Sequence, residues 1–230
     1  MYKLKLMTLL LLASLTVSSF EPIKPSRAKL QSNVGDMVVE MKLREDGSWK
    51  LTSVLDGGSI VKREESEVFE LIDNKIKPIN YRYNQRILFR RYKASADFDW
   101  NTKKVSFRED KDKGVLDLYE NILGPSSASL QLRLDFRKLG EGNIPDQLSY
   151  DVYWKGTIKK RSYDVSKNKE SVETPLGVFE AYKVSRNFDE TSERSQIFWL
   201  APSLDFSVIR IYDKNDREIE IKIKEFEETD

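Results

Sequence analysis

The sequence predicts an all-β fold: a single antiparallel, strongly curved sheet, either a half-barrel or a barrel, carrying one short helix. Three observations point to it. Apolar and polar residues alternate with period two along run after run, as in strands that bury one face. The runs are short and are separated at regular intervals by Asp, Asn and Gly turn residues. One stretch, 126–139, interrupts the series with helix-start and helix-stop chemistry. The 230 residues include 11 Phe, 10 Tyr and 4 Trp, enough bulky apolar surface for one core in a single generous domain.

Residues 1–19 read as a secretory signal peptide. Lys3 and Lys5 precede an apolar run from Leu6 to Val17, and Val17, Ser18 and Ser19 place compact residues before a cut. The run is about a dozen residues, whereas ~20 are needed to cross a ~30 Å hydrocarbon core, so the mature chain is expected to hold no transmembrane segment. No cysteine follows the run, which argues against a lipid-modified N-terminus. Residues 20–34, with Pro22 and Pro25, read as a flexible tether. Residues 35–228 form the expected single β-rich domain.

Within that domain Val39, Met41 and Leu43 alternate with Glu40 and Lys42. After Glu45-Asp46-Gly47, Trp49, Leu51, Ser53 and Leu55 alternate with Lys50, Thr52 and Val54, a hairpin pattern on both sides of an Asp-Gly turn. Asp56-Gly57-Gly58 and Asp73-Asn74-Lys75 mark further turns. Strands are expected at 60–62, 67–72, 78–83, 86–98 and 104–107. In 126–139, Pro125 precedes and Gly140 follows, and Leu130/Leu134 and Leu132/Phe136 pair at helical spacing. The same leucines also alternate as a strand would, but without a β-branched residue among them the helix is preferred. Strands then resume at 147–154, 158–166, 169–173, 177–188, 193–200, 206–212 and 218–226. Ile219, Ile221 and Ile223 against Glu220, Lys222 and Lys224 is the cleanest alternation.

Composition excludes much chemistry. The chain has no Cys and no His, which removes disulfides, thiol nucleophiles, Cys/His zinc sites and Ser-His-Asp arrangements. Neither a Gly-x-Gly-x-x-Gly nor a Walker pattern occurs, so no nucleotide cofactor is expected. Glu109-Asp110-Lys111-Asp112 lacks the rest of an EF-hand and reads as a solvated turn, so no metal is expected. Without residues 1–19, 37 basic residues face 38 acidic ones. Such a balance argues against nucleic acid, and Lys159-Lys160-Arg161 and Arg90-Arg91 read as solvated strand faces.

Three stretches carry a family likeness: Ala96-Asp97-Phe98-Asp99-Trp100; Thr174-Pro175-Leu176-Gly177-Val178-Phe179 with Tyr182-Lys183-Val184; and Phe198-Trp199-Leu200-Ala201-Pro202-Ser203-Leu204-Asp205 with Val208-Ile209-Arg210-Ile211. In this order and spacing the chain resembles the bacterial family of exported proteins called Domain of Unknown Function 3108. The resemblance implies an envelope protein of mostly antiparallel β-structure, with no established activity and a fold akin to the curved half-barrels of periplasmic lipoprotein carriers. Read physically, Thr174-Pro175-Leu176-Gly177 is a chain reversal and Pro202 ends a strand, letting Leu204 fold back on the core.

The function expected from these features is a periplasmic binding or carrier module, without catalysis, for a lipidic or other amphipathic ligand. Trp100, Trp154 and Trp199 are the candidate cavity residues. Arg210, placed by alternation on one face with Val208 and Tyr212, is the candidate for an anionic head group. Structural readings compete with both: the rings as core filling, the arginine as a surface charge. An alternative is an envelope assembly component acting through a protein surface, for instance by strand addition. A third reading is a glycan hydrolase using Asp97 with Asp99, or Asp117 with Glu120.

Overall fold

The structure, a computed structural model, describes residues 23–188, 192–215 and 217–229. The expected signal peptide therefore lies outside the described residues. The strands are β1 (Ser26–Ser32), β2 (Gly35–Leu43), β3 (Trp49–Gly57), β4 (Val61–Ile72), β5 (Lys75–Ile87), β6 (Arg90–Asp99), β7 (Lys104–Glu109), β8 (Asp112–Asp117) and β9 (Ile122–Leu123). After the helix α1 (Ser127–Leu139) come β10 (Gln147–Trp154), β11 (Thr157–Thr174), β12 (Gly177–Arg186), β13 (Ser195–Ala201), β14 (Ser207–Lys214) and β15 (Glu218–Glu228).

All fifteen strands belong to one sheet, in the order β8-β7-β6-β5-β4-β3-β2-β1-β15-β14-β13-β12-β11-β10-β9. Neighbours along the chain are neighbours in the sheet, as short hairpin turns dictate. The exception is the step from β8 to β9, which lie at opposite edges, and β1, pairing with both β2 and β15, joins the two meanders at the centre.

This placement corrects the tether. Residues 26–32 are a central strand, with Leu30 only 4% exposed. Pro25 sits just before it, where a missing N–H costs no ladder bond, and its carbonyl accepts from Thr229 N–H at 2.9 Å. Two expected pairs of strands are each continuous. Residues 61–62 and 67–72 fall in β4, with Ile60 in the turn before it, while 158–166 and 169–173 fall in β11, whose register shifts between Val165 and Lys169. The expected run 86–98 is divided by a turn at Leu88 and Phe89. β8 lies where no strand was expected.

The sheet is neither wholly antiparallel nor closed. β9 pairs with β10 in parallel over two residues, and β8 and β9 are free edges, so the barrel alternative is overturned. Side chains bridge part of the gap instead. Phe98 and Phe107 from β6 and β7 lie 6.0 and 6.3 Å, centroid to centroid, from Tyr153 of β10.

α1 spans the expected helix, and Gly140 ends it in the left-handed region, φ 71°, donating to Phe136 O at 2.9 Å. Both helical-spacing pairs are used. Leu130 and Leu134 pack with Met41, Trp49 and Phe69 of the first meander, Leu132 and Phe136 with Tyr163, Tyr182, Val184 and Phe198 of the second. A helix buried on opposite sides sits between the halves of its sheet. Among the described residues no helix is long and apolar enough to cross a membrane.

Candidate functional site

The N-terminus of α1 rests on a carboxylate from β4. Alternation puts Glu65 and Glu67 on the face that also carries Phe69 and Leu71, and Glu67 is fully buried. Its Oε2 accepts from Ser126 N–H at 3.0 Å and Ser127 N–H at 3.1 Å. These are unpaired donors of the helix start, and no side chain of the helix itself caps them. Gly124 makes room, since a Cβ there would lie 2.2 Å from the Glu67 carboxylate. Burial pushes the carboxyl up to about 7, against the pull of its N–H donors.

Further along α1, Arg133 Nη2 donates to Asp205 Oδ2 at 2.7 Å and Arg133 Nε to Asp205 O at 2.8 Å. Arg137 Nε donates to Asp205 Oδ1 at 2.5 Å. Asp205 occupies the left-handed region, φ 53°, at the end of the turn Pro202–Leu204. The Pro-Ser-Leu-Asp stretch is thus a turn that presents one carboxylate to two helix arginines.

Between α1 and the central strands lies an apolar cavity of about 170 Å3, lined by residues such as Leu30, Met37, Leu130, Phe198 and Val208. Arg133 borders it, as does Ser207, whose buried Oγ has no partner among the described residues.

The four expected site residues do not converge on this cavity. Trp100, after β6, donates its Nε1–H to Pro78 O at 2.7 Å, and Lys77 Nζ lies 5.3 Å from the ring centroid. Trp199 packs with Val172, Ala181 and Ile209, away from the helix, and donates to the Glu170 carboxylate. Arg210 lies over the Trp199 ring at 4.4 Å and pairs with Glu220 at 2.6 Å. The expected face sharing of Val208 and Arg210 fails because of a β-bulge: Trp199 pairs with Arg210, but Leu200 pairs with Val208, leaving Ile209 extra. Val208 and Ile211 therefore point to the apolar cavity, while Ile209 and Tyr212 join the cluster around Trp199.

Trp154 alone lines a larger space, a cavity of about 750 Å3 that reaches Pro125 at the start of α1. Tyr81, Tyr83 and Tyr92 contribute further aromatic wall, with Arg90, Arg91, Lys155 and Arg194 as cations. The acid of this lining is Glu109, and its oxygens are engaged by phenols, Tyr92 OH and, at 2.9 Å, Tyr153 OH. The Trp154 ring lies between Lys155 at 5.6 Å and Arg161 at 5.1 Å. Arg161 is 7% exposed, and its Nε has no acceptor among the described residues. Arg186 is near enough to be pulled down to about 10, by burial first and then by the positive charges of Arg161 and Arg194. Arg194 pairs with Asp213 at 3.0 Å. Guanidinium groups held in an aromatic wall with few carboxylates are suited to binding an oxyanion.

Residues 25–224 match the profile of the family described as "Protein of unknown function (DUF3108)". The chain belongs to this family. No curated protein matches. A solved structure, the "Beta-barrel-like Protein of Domain of Unknown Function DUF1849 from Brucella abortus", is similar with a TM-score of 0.61 at 11% identity. The match covers 90% of this chain and 99% of that one. At this identity the likeness shows the fold alone.

In this DUF3108 protein three of the carboxylates considered for hydrolysis, Asp97, Asp99 and Asp117, have structural partners. Asp97 pairs with Arg82 at 2.6 Å and Asp117 with Lys104 at 2.6 Å. Asp99 accepts from Asn101 and Thr102 N–H at 2.9 and 3.1 Å, and hydrogen bonding to Thr102 is the leading cause that holds its carboxyl below the usual range. Hydrogen bonding to Lys104 likewise holds the Asp117 carboxyl low, so Asp99 and Asp117 are shifted opposite to the raised value a general acid needs. Sequence reading missed Glu67, Arg133, Arg161 and the tyrosines. For Glu67 a signal existed, an acid on the same alternation face as Phe69 and Leu71.

Proposed function

We propose that the protein is an exported binding module of the cell envelope, without catalysis, that holds an amphipathic ligand with an anionic end. The observation that carries this reading is the aromatic and cationic cavity of about 750 Å3, backed by Arg194 of its lining, whose buried Nε has no partner among the described residues. A buried guanidinium N–H without an acceptor is costly, and an oxyanion relieves that cost. The apolar cavity against α1 offers a place for hydrocarbon, and its volume of about 170 Å3 fits part of a chain rather than a whole lipid. The sheet is pictured as curled around α1, because side chains of β6 and β7 meet β10. Export rests on residues 1–19.

Calorimetric titration with dodecyl phosphate and dodecyl maltoside tests the binding. Tighter binding of the phosphate is expected, with Arg194→Gln erasing about tenfold of affinity and Arg210→Gln erasing none. Absence of binding by either amphiphile, together with no lipid in native mass spectra of the purified chain, would retire the reading. Osmotic-shock fractionation of cells tests export, with retention expected when residues 1–19 are deleted. For the strand-addition alternative β8 offers a free edge, but Lys113 and Asp117 lie along it, charges of the kind that discourage edge pairing.

A further inference from the structure

The turn between β5 and β6 carries Ile87, Leu88 and Phe89, exposed by 45%, 56% and 100%. Ile60 of the adjoining β3–β4 turn is 60% exposed. Leu88 N–H donates to Ile60 O at 2.8 Å, which joins the two turns into one tip. Ile87 pairs with Arg90 across the turn, and Leu88 is in the left-handed region at φ 52°, so the tip is a tight, defined hairpin end. Burial in the fold explains none of these four side chains, and clustered exposed apolar groups mark an interaction surface.

Around this apolar tip exposed cations outnumber acids. Arg86, Arg90 and Arg91 are exposed beside it, and Lys62 and Lys93 lie on neighbouring ladder positions, Lys62 opposite Arg86 and Lys93 opposite Asn84. The nearby acids are Glu64, Asp56, Asp110, whose N–H donates to Lys93 O at 2.7 Å, and Glu109; Asp56 Oδ1 is occupied by Gly58 N–H at 2.8 Å and the Glu109 carboxylate by the Tyr92 and Tyr153 hydroxyls. Apolar side chains projecting beyond a basic collar match a bilayer with anionic headgroups: the tip enters the acyl boundary while the cations meet phosphates. Ile87, Arg90 and Arg91 also line the large cavity.

We propose that the β5–β6 tip docks the protein onto an anionic lipid surface, with the mouth of the aromatic cavity turned toward it. The docking needs no ligand in the cavity and stands apart from the binding reading. Co-sedimentation with vesicles of phosphatidylcholine, pure or with about a quarter phosphatidylglycerol, tests it. The full chain and the chain beginning at Phe20 are run in parallel, so that lipid binding by the Leu6 to Val17 run is subtracted.

Binding to the anionic vesicles is expected to exceed binding to the neutral ones by about tenfold and to fall at ~0.5 M salt. Phe89→Asp should remove it without moving the unfolding midpoint, and R86Q/R90Q/R91Q should remove only the anionic preference. Arg194→Gln should leave vesicle binding unchanged, so that failure of the cavity reading and failure of the docking are seen separately. Equal binding by Phe89→Asp, or equal binding to both vesicle types, overturns the proposal. So does a chain that ignores vesicles yet self-associates through Phe89 in sedimentation, which would make a second copy the occupant.

Discussion

The Glu67 carboxylate, fully buried against the start of α1, makes the stability of the domain depend on pH. Its folded value of about 7 lies above the ordinary 4.5, so the native state holds the proton more tightly than the unfolded chain does. Stability from this group is fully present below pH 4.5 and is lost as pH rises through about 7. The loss is on the order of 3 kcal/mol. Urea unfolding at pH 5, 6, 7 and 8 should show the decline, and Glu67→Gln, which cannot titrate, should flatten it; a decline that survives in the variant assigns it elsewhere. Alternation was enough to place Glu67 with Phe69, but not to say that the Gly124-Pro125-Ser126-Ser127 segment, some 60 positions away, would close over it. Arg161 shows the same limit. Beside Lys159 and Lys160 it reads as a solvated charge, yet the Trp154 ring lies over it and only 7% is exposed.

Between elements, the tie from α1 to the β13–β14 turn is the most specific polar contact of the helix. Arg133 and Arg137 side chains are 11% and 8% exposed, and both meet Asp205. Removing one partner of such a buried charge cluster is expensive because the remaining charge stays desolvated. Asp205→Asn keeps a residue that tolerates φ 53° but removes the carboxylate charge, and is expected to cost about 3 kcal/mol. Chemical denaturation measures this; a loss below about 1 kcal/mol would class the contact with ordinary surface pairs. The helix itself was legible from Pro125, Gly140 and the spacing of Leu130, Leu134, Leu132 and Phe136. The partners of Arg133 were not, because a turn 72 residues later supplies them. At β14 the bulge opposite Trp199 moved Arg210 off the face that strict alternation assigns it, since one extra residue reverses every later side chain.

For the molecule as a whole, a single sheet with two free edges stays together through its side chains. Near those edges Tyr153, wholly buried, packs on Phe98 and Phe107 and donates to Glu109 at 2.9 Å. Tyr153→Phe keeps the packing and removes the hydroxyl, and is expected to cost about 1 to 2 kcal/mol. Hydrogen exchange should quicken in β7 and β8 well before the central β1–β3 ladder responds. Uniform exchange across the sheet in this variant would show that the tyrosine does not join the edges.

What the sequence determined by itself is local: the strands of both meanders apart from β1, β8 and β9, the Asp-Gly and Pro-Gly reversals, the helix at 126–139, and a family likeness carried by three turn-bounded stretches. Each rests on interactions within a few residues, where backbone dihedrals and side-chain period act directly. Only the tertiary structure decided that residues 26–32 complete the sheet at its centre, that the barrel stays open, and that Trp154 rather than Trp100, Trp199 or Arg210 reaches the large cavity. Period two says that a strand has two unlike faces. Which distant strands meet on each face depends on packing around α1, and that packing joins residues too far apart in the chain for any local pattern to register.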